Sequence, residues 1–312
     1  MRRSVWTVSA LGVLLHWTAW SQIGNIVVTS GASFQPGIPP ALSVGTIFCT
    51  GVTVTGVVAA ASTPLQTVLA GVTVTVGGVA APLFAVADVG GYQQINFQVP
   101  VYTGAAQVVV SQNGSQGSAT ATNDPDAPGD FFQIGGTQLG VFQHGSDYSL
   151  VTPSNPAKAG ETIVAYATGL PTAVPAPPAG QPAPLSPLSY VPQMNFSTYL
   201  NEIGLSLNGK NISGGCIAVN GSCNLGSALF DPTGSDCYGC DTTGLSPVPF
   251  MGFAPGMVGV YQVNFVMPQG LSTGNVPIQF VRAICNSVFA SGCDGPTAIH
   301  YWGGQAVLLP VG

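Results

Sequence analysis

This chain contains one strand-like segment twice. Residues 93–100 read QQINFQVP and residues 261–268 read YQVNFVMP, so both copies alternate apolar with polar residues and end in proline. Successive side chains of a strand point to opposite faces of a sheet, and proline cannot donate to the ladder. Each copy therefore predicts one half-buried strand. The amides that this pattern places on the face opposite the apolar residues are Gln94, Asn96, Gln262 and Asn264.

Further segments repeat in the same order around these strands. GETIVAYATGL in the second half resembles GTIFCTGV in the first, IGLSLNGK resembles VTVTVGGV, and NVPIQFV resembles AAQVVVS. No window shows convincing helical periodicity, and 42 Gly with 26 Pro suit a chain with many turns. With 46% hydrophobic residues, each half can bury a core of its own. We predict an all-β protein made of two fused β-sandwich domains.

The chain divides where its composition changes. Arg2 and Arg3 precede an apolar run and small residues before Gln22, which is typical of a signal peptide. Turn formers mixed with apolar alternation predict an ordered connector between the halves, and the prolines of residues 171–192 predict an extended surface loop. The predicted parts are a signal peptide (1–21), a first β-sandwich domain (22–124), a connector (125–156) and a second β-sandwich domain (157–312) with a Cys-rich insertion (211–244).

Charge and hydropathy argue against nucleic acid as a partner and against a membrane span. Without the signal peptide, only Lys158, Lys210 and Arg282 stand against eleven acids, which is a poor surface for binding the phosphates of nucleic acids. The most apolar stretch, TIFCTGVTVTGVVAAAS, is interrupted by Thr and Gly at strand-like intervals, so it indicates a pair of strands and not a membrane span. We therefore expect a secreted protein, extracellular or at the cell surface.

Three motifs of the chain resemble those of a known family. QINFQVP, NPAKAGETIVAYATGLP and FAPGMVGVYQVNFVMP are similar to segments of the Solibacter uncharacterised C-terminal domain, a tandem domain of exported acidobacterial proteins. The resemblance extends from about residue 30 to the end of the sequence. It implies immunoglobulin-like β-sandwich modules and export, and it transfers no catalytic residue. The Cys-rich insertion departs from the pattern of the family.

All seven cysteines follow the predicted signal peptide, in a compartment where disulfides persist. We expect two bridges within the insertion and a hairpin-closing bridge after it; zinc is the alternative, but the first pair of cysteines is spaced too widely for it. Cys49 is left over in a β-like run, where we expect a buried small apolar side chain, with intermolecular pairing as the alternative. The disulfide candidates are Cys216, Cys223, Cys237, Cys240, Cys285 and Cys293.

Few residues suggest catalysis or metal binding. The segment GLSTG matches the nucleophile motif G-x-S-x-G, but its Ser272 lies between two predicted strands, where a hairpin turn explains it better than the strand-to-helix turn of a hydrolase. His144 and His300 lie in no obvious catalytic arrangement. The densest acidic cluster is read as turn formers, with a calcium site as the alternative and no other cofactor expected. The candidate calcium ligands are Asp124, Asp126 and Asp130.

The sequence leaves three functions open. A surface with few charges, many edge strands and no catalytic set favours a non-enzymatic structural or adhesive module that associates with itself or with other secreted or surface proteins. The second function is polysaccharide binding by aromatic and amide side chains, and the third is a secreted hydrolase built around Ser272. The amides also have a purely structural interpretation, as partners of a neighbouring strand. The candidate ligand or interface residues are Tyr92, Gln94, Asn96, Tyr261, Gln262, Asn264 and Trp302.

Overall fold

The chain is built of strands. The computed structural model describes residues 22–123, 128–191, 201–207, 210–213, 248–285 and 299–312, and of residues 201–204, 210–213, 282–285 and 299–302 it describes the backbone alone. Within these ranges there are twenty strands and no helix, so the all-β prediction is confirmed. The same ranges accordingly hold no helix with the length and hydropathy to cross a membrane.

The first half of the chain forms two sheets of five strands. One sheet has the order β1-β2-β8-β7-β3; the other has the order β10-β9-β5-β4, with β6 beside β5. Every pair in both sheets is antiparallel. The strands are β1 (Gly24–Ser30), β2 (Val44–Thr50), β3 (Val57–Ala59), β4 (Val68–Leu69), β5 (Val72–Val76), β6 (Val79–Ala80), β7 (Leu83–Asp88), β8 (Gln93–Gln98), β9 (Gln107–Gln112) and β10 (Ser115–Thr120).

Alternate residues of these two sheets meet in one hydrophobic cluster. Ile47, Ile95 and Phe97 of the first sheet lie in it with Val74 and Val110 of the second, and all five are fully buried. Burial of each such side chain contributes roughly 1.5–3 kcal/mol. The cluster fixes the register of the strands, because a shift by one residue would turn each of these side chains to the opposite face.

The second half repeats this arrangement. Its sheets have the orders β11-β13-β17-β16, with β12 beside β13, and β15-β14-β18-β19, with β20 beside β18. A second cluster lies between them, in which the rings of Phe131 and Phe280 stack at a centroid distance of 4.1 Å. The strands are β11 (Asp130–Phe131), β12 (Phe142–His144), β13 (Thr162–Thr168), β14 (Asn201–Leu207), β15 (Lys210–Ser213), β16 (Phe250–Phe253), β17 (Tyr261–Val266), β18 (Gly274–Cys285), β19 (Ile299–Gly303) and β20 (Val307–Val311).

The pairing register relates the two halves residue by residue. Ile47 lies opposite Ile95 in the first half, and Ala165 lies opposite Val263 in the second. Strands β2, β5, β8 and β9 thus correspond to β13, β14, β17 and β18 in order and in pairing. The repeated motifs of the sequence occupy equivalent strands.

Two β-hairpins of the first half close with Gly-Gly and Asn-Gly, dipeptides typical of two-residue turns. Gly77 and Gly78 join β5 to β6, and Asn113 and Gly114 join β9 to β10. Their φ angles are 55° and 81° in the first turn and 50° and 83° in the second. Positive φ at both central residues is the geometry of a type I′ turn, whose twist matches that of the two strands it connects.

Three predicted segments differ from their expected arrangement. The strands β2 and β3 both form, but β8 and β7 lie between them, so they are not a pair. In the described part of the predicted connector, residues 128–156, the strands β11 and β12 pair with β13, and Phe131 and Phe142 lie in the second core. The proline-rich segment is only partly a surface loop, because Ala173 and Ala183 are buried in that core. Such short strands and single buried residues carry too little periodicity to be read from sequence.

Buried polar contacts join the two halves. The amide of Val44 donates to Thr168 Oγ1 at 2.8 Å, and the amide of Gly169 donates to Ser43 Oγ at 3.2 Å. Ser43 and Thr168 are fully buried, so these bonds satisfy groups that water does not reach.

Gln98 makes a further buried contact between the halves. Its Nε2 donates to the carbonyl of Leu42 at 3.0 Å, and its Oε1 accepts from the amide of Gly180 at 2.6 Å. Gly180 belongs to the proline-rich segment, and its carbonyl accepts from the amide of Leu65 in the first half. The equivalent residue of the second repeat is Val266, so the motif differs where the contact between halves needs an amide.

Cys49 has the expected environment. Its thiol is 1% exposed and unpaired, and burial raises the pKa of this thiol to about 11. The prediction of a buried small side chain is confirmed. The side chains of the other six cysteines, the predicted signal peptide and most of the insertion lie outside the described residues, so the disulfides stay predictions.

Candidate binding face

The repeated amides lie together on one face of each sheet. In the first half Gln94 Nε2 donates to Asn96 Oδ1 at 2.9 Å, and Thr46 Oγ1 donates to the same oxygen at 3.0 Å. In the second half Gln262 Nε2 donates to Asn264 Oδ1, again at 2.9 Å. These four amides are half-buried on the face that points away from the core. Part of their capacity is thus structural, because it fixes the amides against one another.

Each amide pair also has groups that no residue of the described ranges contacts by a hydrogen bond. No described residue bonds to Gln94 Oε1 or to Asn96 Nδ2, and the same holds for Gln262 Oε1 and Asn264 Nδ2. A carboxamide offers one acceptor oxygen and two donor hydrogens. Each pair therefore presents an acceptor and a donor toward the outside of the sheet.

Aromatic rings lie beside the first amide pair. Phe48 is directly opposite Gln94 in the pairing of β2 with β8. Its ring centroid lies 5.8 Å from that of Phe34 and 5.6 Å from that of Tyr92, both in tilted or edge geometries that aromatic pairs favour. Phe34 is 50% exposed and Tyr92 is 45% exposed. We name these residues the first aromatic–amide face: Phe34, Phe48, Tyr92, Gln94 and Asn96.

A strained turn presents Phe34. Its φ is +57°, a conformation that bulky residues rarely adopt and that costs on the order of 1–3 kcal/mol. The amide of Phe34 donates to the carbonyl of Ser30 at 3.2 Å, and the amide of Ser30 donates to the carbonyl of Gln35 at 3.0 Å. The amide of Gln35 also donates to Ser33 Oγ at 3.3 Å. These bonds close the turn around the strained residue.

The same turn occurs in the second half. The amide of Tyr148 donates to the carbonyl of His144 at 2.9 Å, and the amide of His144 donates to the carbonyl of Ser149 at 2.9 Å. The amide of Ser149 donates to Asp147 Oδ1 at 2.9 Å. Tyr148 has a φ of +59° and is 63% exposed, so it is the counterpart of Phe34. We call these two segments the aromatic turns: residues 30–35 and 144–149.

A second aromatic–amide face surrounds the second aromatic turn. Tyr166 lies directly opposite Gln262, as Phe48 lies opposite Gln94. Its hydroxyl donates to Gln143 Oε1 at 2.9 Å. Burial and the charge of the nearby Tyr148 phenolate raise the pKa of Tyr166. The second aromatic–amide face consists of Gln143, Tyr148, Tyr166, Gln262 and Asn264.

Tyr261 belongs to the core and to neither face. It is fully buried, its ring centroid lies 4.3 Å from that of Phe253, and its hydroxyl donates to the carbonyl of Pro171 at 3.1 Å. Burial raises the pKa of this phenol. Because Tyr261 precedes Gln262 on a strand, its side chain points to the opposite face. The side chain of Trp302, the other aromatic candidate in this half, lies outside the described residues.

His144 anchors the second aromatic turn. Its Nδ1 lies 2.9 Å from Glu161 Oε2 and its Nε2 lies 3.2 Å from the carbonyl oxygen of Asn155. Both partners are acceptors, so both bonds form only when both ring nitrogens carry protons. Burial alone lowers the pKa of His144, but the hydrogen bonds and charge of these partners raise it more. The net pKa is therefore raised, and the imidazolium is favoured.

The carboxylate of Asp130 forms hydrogen bonds with residues of both halves. Its Oδ2 accepts from Ser33 Oγ at 2.7 Å, and its Oδ1 accepts from the amide of Gln305 at 3.3 Å. Asp124 and Asp126 lie outside the described residues. In the part of the chain that is described, no three His, Cys, Asp or Glu side chains are placed to hold a metal ion. The calcium site stays a prediction.

Ser272 lies in an exposed connection from β17 to β18. These strands belong to different sheets, so the predicted hairpin turn is wrong, and the segment instead crosses from one sheet to the other. The strand β18 follows Ser272, whereas a nucleophile elbow requires a helix there. This connection therefore lacks the local geometry of a hydrolase motif.

The aromatic turns are functional candidates that the sequence analysis missed. SGASF and HGSDY share Gly in the second position, Ser or Asp in the fourth and an aromatic residue in the fifth. This spacing is a usable signal, because the fourth side chain caps the turn and the fifth carries the ring. The two five-residue segments share only one identical residue, the Gly in the second position, which is too little to detect without the register.

The fold and the two faces define an all-β protein with a repeated surface of aromatic and amide side chains. No protein-family model matches the chain, and a search of curated proteins finds no match either. The resemblance to the Solibacter uncharacterised C-terminal domain accordingly stays a prediction from three motifs.

Proposed function

We propose that the protein is a secreted, non-enzymatic carbohydrate-binding module built of two tandem immunoglobulin-like β-sandwiches. The paired sheets around two cores and the shared register of the halves support this architecture. One observation carries the function: the first aromatic–amide face sets exposed rings beside amides that have a donor and an acceptor without a partner among the described residues.

Sugars match this combination of groups. The apolar faces of a pyranose ring pack on aromatic rings such as Phe34 and Tyr92, and its hydroxyls both donate and accept. Asn96 Nδ2 and Gln94 Oε1 supply the complementary donor and acceptor. The members of the face carry no charge, which favours neutral sugars over uronic acids or amino sugars.

The face is organised before a ligand arrives. Asn96 Oδ1 accepts from both Gln94 and Thr46, so the orientation of its amide is fixed. The ring of Phe48 is held between those of Phe34 and Tyr92. Side chains that are already ordered lose little conformational entropy on binding, which raises affinity.

Affinity electrophoresis in gels that contain neutral polysaccharides tests the proposal. Asn96→Asp is the sharpest variant, because the new carboxylate still accepts from Gln94 and Thr46 but no longer donates to a ligand. We expect this variant and Tyr92→Ala each to weaken retardation by at least about tenfold. Leu185→Ala, at an exposed position outside both faces, is the matched control. Free migration of the parent protein in every gel would rule out carbohydrate binding.

Association with other proteins is the second candidate, and a sheet edge favours it. Strand β3 is the last strand of its sheet, and Val57 in it is 71% exposed. An edge with unpaired backbone groups and an apolar side chain can pair with a strand of another chain. Val57→Lys should then abolish self-association in sedimentation velocity. A parent protein that sediments as a monomer at all concentrations argues against self-association.

A further inference from the structure

The second aromatic–amide face repeats two features of the first, the amide pair and the aromatic residue opposite its Gln. In both, the Gln side chain donates to the Asn side chain two residues later at 2.9 Å, which leaves the same oxygen and the same amino group without a partner among the described residues. In both, an aromatic residue of the neighbouring strand lies directly opposite this Gln. The two halves therefore share the parts of a site as well as a fold.

Both aromatic turns carry an aromatic side chain at a strained backbone position. Phe34 and Tyr148 adopt positive φ, where glycine would fit without strain. Both rings are at least half exposed, so burial offsets little of that strain. The two turns differ in most other residues, yet each carries an aromatic ring in this position. A ring that contacts a ligand accounts for this better than a ring that stabilises the fold.

We propose that the two aromatic–amide faces are equivalent binding sites, so that one molecule binds a neutral polysaccharide at two places. This inference rests on the proposed carbohydrate-binding function and extends it to a second site and a polymeric ligand. A polymer of repeating sugars offers the same rings and hydroxyls to both faces. A protein surface would rarely offer two identical patches to a single chain.

The junction between the halves supports bivalent binding. The fully buried side chains of Ser43, Gln98 and Thr168 bond across it, so the relative position of the two faces is fixed. Once one face is occupied, the second binds from a high effective concentration, and avidity of this kind reaches about 10²–10⁴ over a single site.

Calorimetry with a short neutral oligosaccharide and with the parent polymer tests this inference. The variants are Phe34→Gly, Tyr148→Gly and the double variant, which remove one ring or both while placing glycine where the backbone has positive φ. Ala70→Gly is the matched control, because Ala70 also has positive φ but carries no ring. The melting temperature of each variant reports whether the fold is intact.

We expect two oligosaccharide sites per molecule in the parent protein, one in each single variant and none in the double variant. Each single variant should bind the polymer at least tenfold more weakly, and Ala70→Gly should bind like the parent. One site in the parent, unaffected by Tyr148→Gly, would overturn the second site and leave the proposed function intact. Binding that neither Phe34→Gly nor Tyr148→Gly affects, or no binding at all, would overturn both.

Discussion

Phe34 and Tyr148 each hold a bulky side chain in a backbone conformation that favours glycine. The hydrogen bonds of the aromatic turns maintain this conformation, since each turn contains two backbone bonds and a bond from a backbone amide to the side chain of Ser33 or Asp147. Strain of this kind persists only where the surrounding structure determines it fully. The strained residues Phe34 and Tyr148 therefore indicate the positions of the two aromatic–amide faces better than any buried residue does.

Substitutions of Tyr148 distinguish the effect of backbone strain on stability from the effect of ring burial. We expect Tyr148→Gly to lie within about 1 kcal/mol of the parent in its free energy of unfolding, because relief of strain offsets the loss of a ring that is mostly exposed. Tyr148→Val should lower this free energy by roughly 1–3 kcal/mol, because a β-branched residue at positive φ is strained further. Urea denaturation measures both. Equal effects of glycine and valine would contradict the assigned backbone conformation.

His144 makes stability depend on pH. Because its folded pKa is raised, its stabilising contribution is fully present below the pKa of the unfolded chain, about 6.5, and is lost as pH rises through the folded value. We therefore expect the free energy of unfolding to fall as pH rises above about 6.5. Urea denaturation at a series of pH values measures it.

Glu161→Gln provides the control for this dependence. The amide oxygen still accepts from His144, but the negative charge that favours the imidazolium is removed. The fall in stability above about pH 6.5 should become smaller in this variant. Asp88→Asn, an exposed acid distant in sequence, should leave it unchanged. A parent protein with flat stability across this range would contradict the raised pKa.

At the scale of strands and turns, a turn depends on the φ angles of its own residues, whereas a contact between strands joins residues far apart in the chain. Gly78 lies in the type I′ turn between β5 and β6, and a methyl group added to it would meet no atom within 4 Å. Gly117 lies in β10, where an added methyl group would overlap the carbonyl of Ile23 at the start of the first half. These two glycines are needed for different reasons.

Alanine substitutions distinguish the two glycines. Gly78→Ala should lower the free energy of unfolding by about 1–2 kcal/mol, which is the cost of positive φ for a residue with a Cβ. Gly117→Ala should lower it more, because the backbone of β10 and that of Ile23, just before β1, must move apart. Thermal melts of both variants compare these losses. A smaller loss for Gly117→Ala would show that β10 and the Ile23 segment are not closely packed.

At the scale of the whole molecule, the contact between halves depends on buried amide and hydroxyl groups. Gln98→Val should lower the free energy of unfolding by roughly 2–4 kcal/mol, because the carbonyl of Leu42 and the amide of Gly180 lose their partner. Val266→Gln, at the equivalent half-buried position of the second repeat, should change it by less than about 1 kcal/mol. Chemical denaturation provides the comparison. Similar effects of both substitutions would contradict a specific role for Gln98.

The candidate site was predictable in part. Alternation alone placed Gln94 and Asn96 on an outer face, and Tyr92 was predicted as a neighbour of these amides. Phe34 and Phe48 were missed, because the first lies in a turn without strand periodicity and the second was read only as part of an apolar run. Tyr261, an aromatic candidate of the sequence analysis, lies in the core instead, because it precedes Gln262 and neighbours on a strand point to opposite faces.

The sequence by itself determined the longer strands, their inward faces, the tight Gly-Gly and Asn-Gly turns and the duplication, because each of these follows from the local periodicity of side chains or from the φ that one or two residues accept. Only the tertiary structure decided which residues meet. The ring of Phe34 reaches Phe48, and Gln98 reaches Gly180, through pairings and packing that link residues far apart in the chain. Contacts of this kind depend on register and on the junction of the halves, neither of which leaves a local pattern in the sequence.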